Sequence, residues 1–162
     1  MPQDEEIRAI AEAAIKSPSS MNRQGWQVIV VRNQKLLAEL ETEGTRVMSA
    51  MPDKSLYERI QSRGGKLFYN APCIFYVSIE PSSALDCGIV CQTIALAAQS
   101  QGLASCICGL AGLPFSEEKA AYFKEKLRFT AGYEFGCAVL IGEAVTVTAP
   151  HEPNSEKITY IH

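Results

Sequence analysis

Residues 86–102, DCGIVCQTIALAAQSQG, constrain this chain more than any other stretch. They contain no proline and are rich in Ala, Ile, Val and Leu, so they read as one long helix. Asp86 is placed to cap the N-terminus with a side-chain oxygen, and Gly102 to close the C-terminus as the left-handed residue just past it. About 15 residues at 1.5 Å each make a rod roughly 23 Å long. Ile89, Val90, Ile94, Leu96, Ala97 and Ala98 occupy more than one face, and a helix apolar on most sides belongs in a core or between subunits. Residues 103–112 then leave it through small side chains, with Gly109 and Gly112 around an apolar pair. Such a backbone can be brought right up to a ligand.

The remaining elements read off in order. Residues 4–16 place Ile7, Ile10, Ala11, Ala14 and Ile15 at helical spacing, with acids at the start and Lys16 at the end, matching the helix dipole at both ends. WQVIVV (26–31) reads as a buried strand, and 34–50 as a helix that Gly44 interrupts. Residues 56–67 are helical or irregular. CIFYVSI (73–79) is a second strand, 103–110 are partly strand, and FGCAVLIG (135–142) is a third apolar strand. Pro114 stops the 103–110 segment, and Ser116 caps a helix with Glu117 and Glu118 in its first turn. The tail beyond residue 143 is polar and closes on the β-branched run KITYIH. Apolar strands alternating with helices, with no repeat and no boundary, predict one α/β or α+β domain over residues 1–162.

Several function classes are disfavoured. The net charge of −3, with no basic stripe interleaved by aromatics, argues against nucleic acid. No apolar run reaches the roughly 18 residues of a membrane span, and the acidic start is no signal peptide, so no membrane partner and a cytoplasmic location are expected. The six cysteines lack any C-x-x-C; Cys87 and Cys91 share a helix face and Cys106 and Cys108 stand two apart, but beside Ala and Ile they read as small buried apolar residues, and no metal is expected. His151 and His162 both fall in the tail, which leaves little for a Cys–His or Ser–His pair. No side chain is assigned as a catalytic acid, base or nucleophile.

Two polar islands remain. Ser17-Pro18-Ser19-Ser20-Met21-Asn22-Arg23-Gln24 packs hydroxyl, amide and guanidinium groups between a helix and a strand. It reads either as a helix stop with Ser or Asx turns, or as a donor-rich loop for a flat, oxygen-rich or phosphorylated ligand. The second island is the backbone of residues 106–112.

These islands carry a resemblance. P-S-S-x-N-x-Q-x-W at 18–26 is similar to the A-P-S-x-x-N-x-Q-P-W signature of the nitroreductase family of FMN-dependent oxidoreductases. The D-x-G-x-x-x-Q-x-x-x-L-A-A-x-x-x-G-L-x-S-C run at 86–106 resembles that family's central helix and following turn. N-A-P at 70–72 and FGCAVLIGEA near the end resemble two of its strands. The resemblance implies an α+β fold with a central mixed or antiparallel sheet wrapped by helices, in an intertwined homodimer whose FMN sites lie in the interface. It implies FMN as cofactor, NADH or NADPH as donor, and hydride transfer through flavin N5 to a small acceptor such as a nitroaromatic or quinone. Residue by residue, it assigns Pro18, Ser19, Ser20, Asn22 and Gln24 to the flavin. The family often supplies that loop from the partner subunit. It also places Ile107, Cys108 and Gly109 along the ring with an amide near N5, and Lys157 on the phosphate. Two departures stand out: the family's R-R-S-x-R-like phosphate clamp has no counterpart in this sequence, and Gly25 replaces the proline before the tryptophan, expected to loosen that turn. Losing one or two charge-assisted contacts costs about 2–5 kcal/mol of binding, roughly 30- to 4,000-fold, so a flavin- or ligand-binding dimer with little turnover is the alternative. Arg23 and Arg8 are the candidate replacements.

Overall fold

A computed structural model describes residues 1–146, 149–150 and 152–161. Its centre is a four-stranded antiparallel sheet in the order β1-β2-β4-β3, from β1 (Trp26–Val31), β2 (Cys73–Ile79), β3 (Ala104–Ile107) and β4 (Glu134–Gly142). Every residue of β2 is buried, because helices cover both of its faces. Side chains alternate between two apolar clusters. Phe75, Val77, Val139 and Ile141 pack under α1 (Asp4–Ala14) and α4 (Ala84–Ser100). Ile74, Tyr76, Ala138 and Leu140 pack under α2 (Gln34–Ala50), α3 (Ser55–Gln61), the 3-10 segment Gly109–Phe115 and α5 (Ala120–Lys126). Between Val77 and Ser78 the β2–β4 register slips, and Gly136 is the extra residue; a Cβ there would stand 2.7 Å from the Cys87 sulfur and 3.0 Å from the Val77 carbonyl oxygen.

The structure corrects four local expectations, each because a tertiary contact overrides a local pattern. Helix α4 starts before Asp86, with Ser83 in the cap position; Asp86 lies in the first turn, buried, and its carboxylate turns to another segment. Gly44 does not interrupt α2, which runs unbroken past it. A Cβ there would meet the Leu67 side chain at 2.7 Å, so glycine is what lets Leu67 pack against the helix. Ser116 does not cap a helix: its hydroxyl donates back to the Leu113 carbonyl, and α5 begins at Ala120. Pro114 sits inside the 3-10 segment rather than ending the preceding one.

Helix α4 shows what the long apolar stretch is for. Cys87, Val90, Cys91, Ile94 and Ala98 face the sheet, and α1 lies alongside with Ile7, Ile10 and Ala14. On the far face Leu85 and Leu96 remain 79% and 62% exposed. A single chain therefore leaves two leucines of this helix uncovered on one face. Gly102 closes the segment at φ +74°, as read from the sequence.

Candidate functional site

The first polar island leaves α1 at Ser17, whose buried hydroxyl donates to Thr93 Oγ1 of α4 at 2.9 Å. Residues 18–24 then make a tight excursion with a 3-10 turn at Ser20–Asn22. Met21, Asn22 and Gln24 all have positive φ, at 51°, 56° and 51°, a conformation that costs non-glycine residues roughly 1–3 kcal/mol each and persists only where the surroundings impose it. The restraints come from behind. Asp86 Oδ1 accepts the Ser20 amide at 3.1 Å, Ser19 Oγ accepts the Gln24 amide at 2.8 Å, and Gln24 Nε2 donates to Asn22 Oδ1 at 3.1 Å. Arg23 pairs with Glu80 at 3.2 Å, so it is committed to this loop's own anchor. Gly25 is buried under Ser83 and Glu80: a Cβ would lie 2.4 Å from Ser83 Oγ. The turn expected to be loosened by this glycine is instead tightly packed, and the close approach is its physical reason. With its back fastened, the loop presents Pro18, Ser20, Met21, Asn22 and Gln24 to solvent.

The second island runs along the outer edge of β3. Cys106 and Ile107 are exposed there. Cys108 turns inward: its amide donates to the Ala138 carbonyl at 2.8 Å, and burial pushes its thiol up while the Ala111 and Leu110 amides pull the other way. Of the three residues whose backbone the resemblance sets along a flavin, Cys108 thus has its amide spent in the sheet. Gly109, the next residue, opens the 3-10 segment, where a first amide has no intrahelical acceptor, and nothing lies within 4 Å of where its Cβ would be.

Beside this edge is a cavity of about 700 Å³, bordered by Arg63, Lys66, Tyr69, Asn70, Ser105 and Cys106. Tyr69 and Asn70 reach it with positive φ (51° and 57°), and Gly64 and Gly65 (97° and 69°) turn the chain just before them. Lys66 also reaches Glu41 at 3.5 Å. Sequence reasoning missed these two cations because they lie in the one region without periodicity. The available signal was a pair of basic residues bracketing Gly-Gly just ahead of N-A-P. A second cavity, about 680 Å³, lies between α2 and α5, away from every predicted residue. Its floor is Glu43, already neutralised by Arg46 and Lys119, both at 2.7 Å.

The structure brings Pro18, Ser19, Ser20, Asn22 and Gln24 together, and Ile107, Cys108 and Gly109 together, but not the two groups. The loop leads into β1 and the second group ends β3, the two outer strands of the sheet; three strand spacings of about 4.8 Å separate those edges by roughly 14 Å. Lys157 lies in an exposed 3-10 turn of the tail, Ser155–Lys157, with no hydrogen bond or ion pair to either group. Arg8, on α1, is exposed and borders neither cavity described above. His151 and His162 lie outside the described residues. Among the described residues no three His, Cys, Asp or Glu side chains gather as a metal site, and no helix is long and apolar enough to cross a membrane.

The sequence matches the model of the nitroreductase family over residues 1–143. No curated protein sequence matches it. Among solved structures, an FMN-bound nitroreductase from Desulfitobacterium hafniense DCB-2 is 53% identical, with a TM-score of 0.97 over 100% of this chain and 89% of that one. An FMN-bound nitroreductase from Bacteroides fragilis NCTC 9343 is 26% identical, with a TM-score of 0.90 over the same shares. An iodotyrosine deiodinase bound to FMN and 3-iodo-L-tyrosine shares the fold at 17% identity and a TM-score of 0.73, over 99% of this chain and 89% of that one.

Proposed function

The chain belongs to the nitroreductase family, and from that membership we propose that it is a homodimeric FMN-dependent oxidoreductase, taking electrons from NADH or NADPH and delivering them to a nitroaromatic, quinone or similar small acceptor. The observation that carries this reading is the division of the site. One chain holds two prepared surfaces on opposite edges of its sheet, and between subunits it offers the apolar outer face of α4. A second copy packed on that face brings its 18–24 loop to the first copy's β3 edge. The Asp86 contact serves both ends of this arrangement, since the helix that forms the seam also holds the loop.

The residues present fit a flavin mononucleotide. The open space over Gly109 admits a flat ring against backbone, and the exposed side chain of Ile107 gives it an apolar rest. Arg63 and Lys66 stand in the neighbouring cavity as donors for an anionic phosphate or a ring oxygen, a role the sequence had offered to Arg23 and Arg8. Asn22 and Gln24 of the second copy supply amides for the ring's polar edge. Lys157 is assigned to the phosphate only if the tail changes place on dimerisation. When bound, FMN supplies two-electron chemistry at N5. The chain contributes position, a backbone donor at Gly109 and a seam shared by donor and acceptor, with no side chain acting as acid or base.

The test is FMN loading followed by NAD(P)H oxidation with and without a nitroaromatic or quinone. Stoichiometric yellow protein with acceptor-dependent turnover is the expected result. FMN bound without turnover reduces the protein to a flavin carrier, and no binding of FMN overturns the reading. Replacing Arg63 or Lys66 by Ala removes a charge-assisted contact of about 1.5–3 kcal/mol, so FMN affinity falls roughly 10- to 150-fold.

A further inference from the structure

The stretch from Lys66 to Pro72 is a thin wall with a space on each side. Lys66, Asn70 and Ala71 border both the cavity of about 700 Å³ beside β3 and a smaller hollow of about 190 Å³ beside α2. At the centre of the wall, Phe68 to Ala71 form a turn closed by the Ala71 amide on the Phe68 carbonyl at 2.8 Å. Both central residues, Tyr69 and Asn70, have positive φ (51° and 57°), the mark of the mirror-image turn that asparagine and glycine favour. A tyrosine in that conformation is costly, and it persists only where the surroundings impose it. One face of α2 does so. Gln34, Leu37, Glu41 and Gly44 recur there at helical spacing. Gln34 Nε2 donates to the Pro72 carbonyl at 2.8 Å, Gly44 leaves the notch that Leu67 fills, and Glu41 Oε1 accepts the Phe68 amide at 3.0 Å. The other Glu41 oxygen reaches Lys66 at 3.5 Å.

We propose that Glu41 is a positioning residue for the flavin site: by accepting the Phe68 amide it holds the turn that sets Lys66, Tyr69 and Asn70 at the cavity wall. The inference rests on the reading of this cavity as part of the FMN site. Glu41 does not itself border the cavity, so it acts only through the wall that it fastens. Of its two contacts the amide bond is the stronger. The carboxylate is only 18% exposed, and a charge-assisted bond shielded from water outweighs a 3.5 Å pair with a lysine that stays 52% exposed. What the turn needs is therefore an acceptor at that place rather than a negative charge. Glutamine supplies the acceptor; alanine does not. Without an acceptor the strained pair relaxes toward negative φ, which carries Tyr69 and Asn70 off the wall and displaces Lys66 with them.

The experiment compares Glu41→Gln and Glu41→Ala with the parent, after far-UV circular dichroism has shown each to be folded. Amide hydrogen exchange on the FMN-free protein reads the Phe68 bond, FMN titration reads affinity, and visible circular dichroism reads the surroundings of the bound ring. In Glu41→Ala the Phe68 amide exchanges faster, the FMN dissociation constant rises about 10- to 150-fold, and the flavin bands change. Glu41→Gln keeps the Phe68 protection and the flavin bands, with FMN affinity within about threefold of the parent. Glu41→Met keeps the length of the side chain without the oxygen and repeats the loss should the alanine variant not fold. Glutamine as damaging as alanine overturns the proposal, as does full FMN affinity in the alanine or methionine variant, or Phe68 exchange that none of them alters; the flavin reading survives all three. A parent that binds no FMN overturns both.

Discussion

Leu96→Glu is the substitution that most directly probes the seam. Leu96 lies on the outer face of α4 and is 62% exposed in the single chain, so roughly three-fifths of its side chain is left for a partner to cover. Full burial of a leucine is worth about 1.5–3 kcal/mol, which makes this share about 1–2 kcal/mol per copy. A two-fold interface uses the same patch twice, so the dimer loses about 2–4 kcal/mol. At 1.4 kcal/mol per decade the dimer dissociation constant rises roughly 30- to 700-fold. This is a lower bound, because the two carboxylates also face apolar surface and each other. Glutamate is about as good a helix former as leucine, and the position is exposed, so subunit stability stays within about 0.5 kcal/mol. Light scattering across a dilution series reads the dimer midpoint, urea unfolding reads the subunit, and flavin fluorescence reads FMN. The expected pattern is a shifted dimer midpoint with FMN loss following it along the same concentration axis. A wild-type chain that stays monomeric at every concentration refutes the reasoning, as does a variant whose midpoint is unmoved or FMN binding indifferent to dissociation.

Two further perturbations address the scaffold. Gly25→Ala forces a Cβ against Ser83 and Glu80 and costs about 1–3 kcal/mol by overpacking; urea unfolding shows the loss, and Ser83→Ala recovers part of it. Glu43→Gln acts on the buried carboxylate that joins α2 to the start of α5. The Arg46 hydrogen bond holds the Glu43 carboxyl below its ordinary value, burial opposes and Lys119 assists, so its folded value lies under its unfolded one. The stability it contributes is present above about pH 4.3 and lost as pH falls through the lower folded value. Glu43→Gln therefore costs about 1–3 kcal/mol at neutral pH, and the gap to the parent closes in acid. A gap that is independent of pH contradicts this assignment.

Much of the scaffold was legible because the physics that shapes it is local. WQVIVV and CIFYVSI are β1 and β2 residue for residue, since a run of β-branched and aromatic side chains bounded by turn residues has few other uses. Gly102 ends its segment in the left-handed conformation that its position suggested. The errors share one cause. Asp86 has the chemistry of a cap, but its carboxylate accepts the amide of Ser20, some 66 positions earlier in the chain. Ser116 and Gly44 were read as punctuation, yet one returns its hydroxyl to Leu113 and the other makes room for Leu67. The cations Arg63 and Lys66 were invisible for a related reason: their segment has no period, and only the fold sets them beside β3.

The sequence by itself determined where most strands and helices lie, that one helix is apolar on more than one face, and which two short stretches are polar or glycine-rich islands between them. These follow from side-chain size, polarity and period, properties that a residue carries wherever it lies. Only the tertiary structure decided that the two stretches stand on opposite edges of the sheet, that the Cys108 amide is spent on the Ala138 carbonyl, and that Gly136 leaves room for the Cys87 sulfur. Each of those depends on strand order, register and the packing of a helix across a sheet, where partners distant in the sequence compete for the same hydrogen bonds and the same space.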